Sequence, residues 1–101
     1  MKLYVDDRRQ PTGDYEVLAR TVERAIHHLQ SGEVTHLSLD HDLGGERNGV
    51  EVLDWIQREM TENGLVPPEV MVAHSANPAG RAALERAIES IRRQQAREGK
   101  K

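Results

Sequence analysis

The stretch SLDHDLGG, residues 38–45, is the part of the sequence that says most about the fold. In it a short apolar strand runs directly into an Asp-His-Asp triplet and then into a pair of glycines. The same pattern recurs in LYVDDRR (3–9) and in VMVAHSANPAG (70–80), so three apolar strands end in reactive side chains. Because the carboxyl ends of parallel strands meet at one edge of a sheet, this pattern predicts a shared site at that edge.

Strand-like and helix-like segments alternate along the rest of the chain, which is typical of an α/β fold with a mainly parallel sheet. The expected architecture is a three-layer sandwich of about four mostly parallel strands, with helices on both faces. The first two strands are joined by about eight residues, fewer than the dozen that a parallel crossover usually needs. The direction of the second strand therefore stays open. The strands are expected at 2–6, 15–19, 35–40 and 69–73, and the helices from Thr21 to Gly32, from Asn48 to Gly64 and from Pro78 onward.

The length of 101 residues fits a single domain, which we place at residues 1–91. Residues 92–101 carry five basic residues and one acid, and we expect them to form a frayed or disordered tail. With a net charge of −3 the remainder is acidic, which disfavours nucleic acid as a partner except for an RNA end. The chain has no cysteine and no apolar run long enough to span a bilayer, so we expect a cytoplasmic protein without a membrane partner.

Four carboxylates are expected at the shared edge of the sheet: Asp6, Asp7, Asp40 and Asp42. Carboxylates crowded together repel one another unless a cation neutralises them. Hard oxygen ligands favour a divalent metal, Mg²⁺ or Mn²⁺ first, and a nearby imidazole keeps iron and zinc open. The alternative for any one of these acids is a helix cap or a turn.

The segment HSANPAGR (74–81) adds candidates for phosphate binding and catalysis at the same edge. Asn77 and Pro78 resemble the start of a helix, whose free N–H groups suit phosphate, with Gly80 and Arg81 as further phosphate-binding candidates. His74 ends a strand beside the acids, and its ordinary pKa near 6.5 suits proton transfer at neutral pH. His41 is a second, weaker candidate, because strand alternation turns it away from its flanking acids.

The motifs LYVDD, LSLD and VMVAHSA together resemble the response-regulator receiver domains, which have a flavodoxin-like fold. The resemblance implies that Asp6 and Asp7 bind a metal, that Asp40 corresponds to the phosphate-accepting aspartate, and that Ser75 is the hydroxyl beside the phosphoryl group. Two receiver features are missing from the sequence. There is no fifth strand with its lysine, since lysine occurs only at positions 2, 100 and 101, and there is no first crossover helix.

A closer resemblance is to a degenerate receiver group, the cyclic-phosphate-processing receiver domains. The sequence motifs of this group appear here as VDDRR, SLDHDLG and HSANPAGR, and the resemblance covers most of the chain apart from the tail. The resemblance implies a compact receiver-like fold and a ligand that contains a cyclic phosphate.

We therefore expect a metal-dependent phosphoesterase that opens a cyclic phosphate, with His74, Asp40, Ser75 and His41 as catalytic candidates. The expected partner is a phosphorylated small molecule such as a cyclic nucleotide; an RNA terminus and a sugar cyclic phosphate also fit. A non-catalytic module that senses such a ligand is the alternative, and a receiver that still accepts phosphate on Asp40 is a third possibility. The sequence leaves the oligomeric state open.

Overall fold

The structure, a computed structural model, describes residues 1–98. It contains one sheet and three helices. The strands are β1 (Lys2–Val5), β2 (Val17–Ala19), β3 (His36–Leu39) and β4 (Val70–Ala73), and the helices are α1 (Val22–Leu29), α2 (Gly49–Asn63) and α3 (Pro78–Glu98).

The four strands are all parallel and lie in the order β2-β1-β3-β4. The direction of the second strand, which the sequence left open, is thus parallel, and residues 6–16 cross between β1 and β2 without forming a helix. Val5 pairs with Leu39, which pairs with Ala73, so β1, β3 and β4 end level with one another. The predicted receiver-like α/β class is confirmed, and residues 1–98 contain no fifth strand.

The hydrophobic core lies between one face of the sheet and the helices. Alternate side chains of β1 and β3 point to that face, and Leu3, Val5, Leu37 and Leu39 are fully buried there. α1 packs against α2, and α2 packs against α3, so the helices form one continuous layer. The core is completed by Val52, Leu53, Ile56, Leu84 and Ile91, which α2 and α3 contribute.

The opposite face of the sheet carries Tyr4, Ser38 and Val72. Within residues 1–98 its cover comes from loop side chains, where the sequence led us to expect helices on both faces. The rings of Tyr15 and His74 pack on Tyr4, whereas Val72 is 44% exposed. The physical reason is the short β1–β2 connection, which has no room for the helix that would cover this face.

Helix ends follow the expected capping chemistry. Asn48 caps α2, as predicted, with its side chain accepting from the backbone N–H of Val50 at 2.9 Å. The Glu51 carboxylate in turn accepts a hydrogen bond from the backbone N–H of Asn48 at 2.9 Å, which completes a capping box. Gly64 ends the helix in the left-handed region, at φ 68°, where a side chain would be strained.

The C-terminal helix extends further than the sequence indicated. Residues 92–98, which we expected to belong to a frayed tail, form the last turns of α3. Arg92 donates to the carbonyl oxygens of Pro68 (3.1 Å) and Glu69 (2.8 Å), and buried Gln94 donates to the Thr61 hydroxyl (2.9 Å). These tertiary contacts hold the segment in place, and residues 99–101 of the expected tail lie outside the described part.

None of the helices in residues 1–98 is long and apolar enough to cross a membrane.

Gly49 allows α2 to begin directly against the end of β3. A β-carbon at this position would collide with the carbonyl oxygen of Asp40 and lie 3.0 Å from side-chain atoms of Leu39 and Leu84. Gly49→Ala should therefore lower the free energy of unfolding by about 1–3 kcal/mol, although alanine is normally the better helix former. Urea unfolding would measure this, with Glu62→Ala on the exposed side of α2 as the control. Equal or greater stability of Gly49→Ala would contradict this packing.

Candidate functional site

Three of the predicted metal ligands come together at the carboxyl edge of the sheet. Asp6 and Asp7 follow β1, and Asp40 follows the neighbouring strand β3. Each offers a carboxylate oxygen, and these three oxygens lie within 4.8 Å of one another. Asp42, the fourth predicted ligand, is not in this cluster.

Asp6 is the anchored member of the cluster. The residue is 1% exposed, and Oδ1 accepts hydrogen bonds from the backbone N–H groups of Arg8 and Arg9, both at 2.8 Å. Nε2 of His74 donates to Oδ2 at 3.0 Å. Burial acts to raise the pKa of Asp6, but the hydrogen bonds from Arg9, Arg8 and His74 outweigh it, so the pKa lies below its ordinary value. Asp6 is therefore a fixed, ionised group.

The pKa of Asp40 is shifted in the opposite direction, above its ordinary value. Burial, followed by the negative charge of Asp6, raises the pKa of Asp40, and His74, the His41 N–H and the Ser75 hydroxyl offset only part of that rise. Ionised Asp6 and Asp40 thus repel each other, and a cation between them would relieve the repulsion. Three carboxylates with converging oxygens are a donor set that fits Mg²⁺ or Mn²⁺. The residues present therefore suit the expected metal.

The acids open onto a cleft of about 360 Å³. Its walls combine the three clustered carboxylates with one further acid and two arginines, so charges of both signs face the same space. Guanidinium groups bind phosphate oxygens well, and the clustered acids would hold a cation beside them. The lining residues are Asp6, Asp7, Arg8, Arg9, Asp40, Asp42 and Ala76.

Arg8 and Arg9 are site residues that the sequence reasoning did not select. The side chain of Arg8 is 89% exposed and lies 3.9 Å from Asp7, while the Arg9 carbonyl oxygen accepts from Arg20 at 3.0 Å. The signal was present in the motif VDDRR, where two arginines follow the acid pair directly. Their backbone N–H groups bind Asp6, and this turn brings both arginines to the cleft.

His74 lies beside the acids, as predicted, but both ring nitrogens are engaged within the protein. Nε2 is 3.0 Å from Asp6 Oδ2, and Nδ1 is 2.7 Å from the Ser38 hydroxyl. The ring stacks on Tyr4, with a centroid separation of 4.2 Å and an interplanar angle of 11°. His74 is not among the residues that line the cleft. Its direct partners are therefore protein groups.

His41 packs away from the clustered acids, against the start of α3. A β-carbon at Gly80 would lie 2.5 Å from Cγ of His41, so glycine at this position makes room for the imidazole. Nδ1 of His41 donates to Oδ1 of Asp42 at 3.0 Å. His41 therefore holds Asp42 at the cleft wall, and the close approach that Gly80 permits is to this ring.

The predicted phosphate-binding segment is largely occupied by its own capping bonds. The Ser75 hydroxyl accepts from the Asn77 N–H, and the Asn77 side chain accepts from the Gly80 N–H, both at 3.1 Å. Arg81 is exposed and donates its backbone N–H to the Asn77 carbonyl at 2.8 Å. From this segment only Ala76 lines the cleft. The structure thus brings Ser75 to Asp40 but does not bring Asn77, Gly80 or Arg81 to the cleft wall.

A parallel sheet in this strand order, with clustered acids at its carboxyl edge, defines a receiver-like α/β domain. The family of cyclic-phosphate processing receiver domains matches residues 1–90, and the chain belongs to that family. The family resemblance predicted from the three motifs is confirmed, and with it a link to cyclic-phosphate processing. Neither the curated proteins nor the solved structures contain a match to the chain.

Asp6 should make a pH-dependent contribution to stability. Because its pKa is lowered on folding, the contribution is present above the unfolded pKa of about 3.9 and is lost as the pH falls through the folded value. Asp6→Asn, measured with a chelator, should lower the free energy of unfolding at neutral pH by about 2–3 kcal/mol, since charged hydrogen bonds are lost. The difference from the wild type should shrink towards pH 2.

Urea unfolding at several pH values would check this, with Asp7→Asn as the matched control. A difference between Asp6→Asn and the wild type that stays constant from pH 7 to the acid limit would contradict the role of the ionised carboxylate.

Proposed function

We propose that this protein is a metal-dependent phosphoesterase that binds and hydrolyses a cyclic phosphate, on a nucleotide or at an RNA terminus. The observation that carries the proposal is the convergence of Asp6, Asp7 and Asp40 on a cleft that also holds Arg8 and Arg9. Membership of a family named for cyclic-phosphate processing supports the choice of ligand.

The metal would be held by Asp6, Asp7 and Asp40. Bound by these residues, a divalent cation would supply Lewis-acid chemistry for attack of water on the phosphate. The protein's own contribution begins with Asp6, whose three hydrogen bonds fix its carboxylate before any ligand arrives. One carboxylate oxygen of Asp7 and one of Asp40 lie close to that of Asp6, so the folded chain already brings the three metal-binding oxygens together.

Arg8 and Arg9 would bind the non-bridging oxygens of the phosphate. Both line the cleft, and Arg8 is exposed enough to swing towards a ligand. Ring opening adds one water: the water oxygen bonds to phosphorus, one P–O bond of the ring breaks, and a water proton ends on the leaving oxygen. Asp42 lies on the cleft wall outside the three-acid cluster, so we assign this proton transfer to its carboxylate.

His74 was the sequence's candidate for general acid or base. Both of its ring nitrogens are engaged by Asp6 and Ser38, and the contact that leads from the ring towards the cleft is the hydrogen bond to Asp6. We therefore place the proton transfer on Asp42 and consider His74 separately below.

Hydrolysis should be metal-dependent and should require Asp40. Incubation of the protein with 2′,3′- and 3′,5′-cyclic nucleotides and Mn²⁺ should give products heavier by one water, detected by mass spectrometry. Asp40→Asn should lower the rate by about 100-fold or more, because metal coordination supplies several kcal/mol of transition-state stabilisation. Asp54→Asn, an exposed acid on α2, is the matched control and should keep full activity.

Activity that survives both Asp40→Asn and a chelator would overturn the metal-dependent mechanism. Ligand-induced thermal stabilisation without product would instead favour the non-catalytic sensing module. A phosphorylated adduct on Asp40 after treatment with a small phosphodonor would favour the receiver activity. We expect no lasting adduct, because the lysine that receiver domains place beside the phosphate-accepting aspartate has no counterpart in residues 1–98. Lys2 lies at the opposite end of β1, paired with Asp14.

The cleft should not discriminate strongly between nucleobases. The chain has three aromatic residues: Tyr4 is buried beneath His74, Tyr15 packs on Tyr4, and Trp55 lines a separate groove beside α1. None lines the cleft, so base stacking on an aromatic ring, worth about 1–3 kcal/mol per base, is missing there. The KM values for the four 2′,3′-cyclic nucleotides should therefore agree within about tenfold, the factor that 1.4 kcal/mol produces. A larger preference for one base would contradict this.

A further inference from the structure

A chain of hydrogen bonds connects Ser38 to Asp6 through His74. Ser38 lies on β3 and is 5% exposed; its hydroxyl is 2.7 Å from Nδ1 of His74. Nε2 of the same ring is 3.0 Å from Oδ2 of Asp6, which follows β1, the strand next to β3. All three side chains lie on the face of the sheet that carries no helix in residues 1–98. The path therefore runs from the middle of the sheet to its carboxyl edge.

The donors and acceptors along this path have one consistent assignment at the Asp6 end. Ionised Asp6 can only accept, so Nε2 of His74 must carry the proton. In the neutral ring Nδ1 is then the acceptor, and the Ser38 hydroxyl donates to it. Asp6 thus selects the form of His74 that donates to it, and the Ser38 hydroxyl, which can donate or accept, complements that form.

Tyr4 fixes the plane of the His74 ring. The two rings are nearly parallel, 4.2 Å apart, and Tyr4 is 4% exposed beneath the imidazole. A rotation of the imidazole about its Cβ–Cγ bond, out of its present plane, would lose both hydrogen bonds and this stacking contact. The stacking on Tyr4 and the two hydrogen bonds therefore fix the orientation of the His74 ring together.

We propose that His74 is a positioning residue, which holds Asp6 in the orientation that binds the metal, and that Ser38 acts through it. This inference rests on the metal site of the proposed function. Oδ1 of Asp6 is held by two backbone N–H groups and Oδ2 by His74, so among the described residues His74 supplies the only side-chain hydrogen bond to the carboxylate of Asp6. Groups that orient a metal ligand in this way change metal affinity by about 10- to 100-fold when they are removed.

The affinity for Mn²⁺, measured by isothermal titration calorimetry without substrate, tests the proposal. His74→Ala should weaken Mn²⁺ binding by about 10- to 100-fold. Ser38→Ala should weaken it less, because His74 and its stacking contact remain. His74→Gln should recover much of the loss, because the amide can donate to Asp6 although it cannot exchange a proton near neutral pH. His36→Ala is the matched control, since that ring contacts Thr35 at the far end of β3.

Thermal unfolding of each variant separates loss of fold from loss of orientation. If His74→Ala is unfolded, Ser38→Ala and His74→Gln carry the test. Unchanged Mn²⁺ affinity in a folded His74→Ala or Ser38→Ala variant would overturn the proposal. It would also be overturned if His74→Gln bound Mn²⁺ like the wild type but lost hydrolysis, because the imidazole would then take part in the reaction itself.

The two proposals fail in different ways. If the wild type binds Mn²⁺ and the variants behave as expected while no cyclic phosphate is hydrolysed, the positioning role stands and the phosphoesterase proposal falls. If the wild type binds no Mn²⁺, both are overturned. If hydrolysis occurs and depends on Mn²⁺, but the variants keep wild-type affinity, only the positioning role is lost.

Discussion

The burial of one ionised carboxylate, Asp6, is the constraint on which the rest of the site depends. A charged group with 1% exposure is stable only when its oxygens are fully hydrogen-bonded. Two of its donors are backbone N–H groups of the turn that follows β1, and the third is a side chain from the far side of β3. The same bonds that offset the burial of Asp6 therefore shape the loop carrying Arg8 and Arg9 and bring His74 across the sheet.

The short connection between β1 and β2 explains why such an arrangement is possible. A helix in that connection would lie over the face that carries Tyr4 and Ser38, where receiver-like sheets are normally covered. Here the segment 6–16 is too short for a helix, and a small aromatic and polar cluster replaces it. Because residues 6–16 form no helix, this face of the sheet has room for a hydrogen-bond path that ends at the acids.

The sequence predicted the parts that depend on strand order and local pattern. The acids that follow two of the apolar strands predicted a shared site at one edge of the sheet. Asn48 and Gly64 predicted where α2 begins and ends. The side-chain partners were harder to predict. Ser38 reads as one more residue of a buried strand, and only its alternation with Leu37 and Leu39 places it on the other face. Gly80 looked like a phosphate-binding glycine, because nothing in the sequence shows that His41 packs on it.

The end of the last helix was missed for a similar reason. A basic stretch with few apolar residues is typical of a solvated tail. Arg92 is fixed by carbonyl oxygens of Pro68 and Glu69, and these are distant in sequence, so no local pattern could reveal them.

That arginine contact joins α3 to β4 at the start of the strand, while the strand's other end leads directly into α3 through residues 74–77. β4 is therefore tied to one helix at both of its ends. A displacement of α3 along its axis would be passed to the strand and so to His74, which follows it. The C-terminal helix, which begins 38 residues after Asp40 in sequence, is thus connected through β4 and His74 to the carboxylate of Asp6.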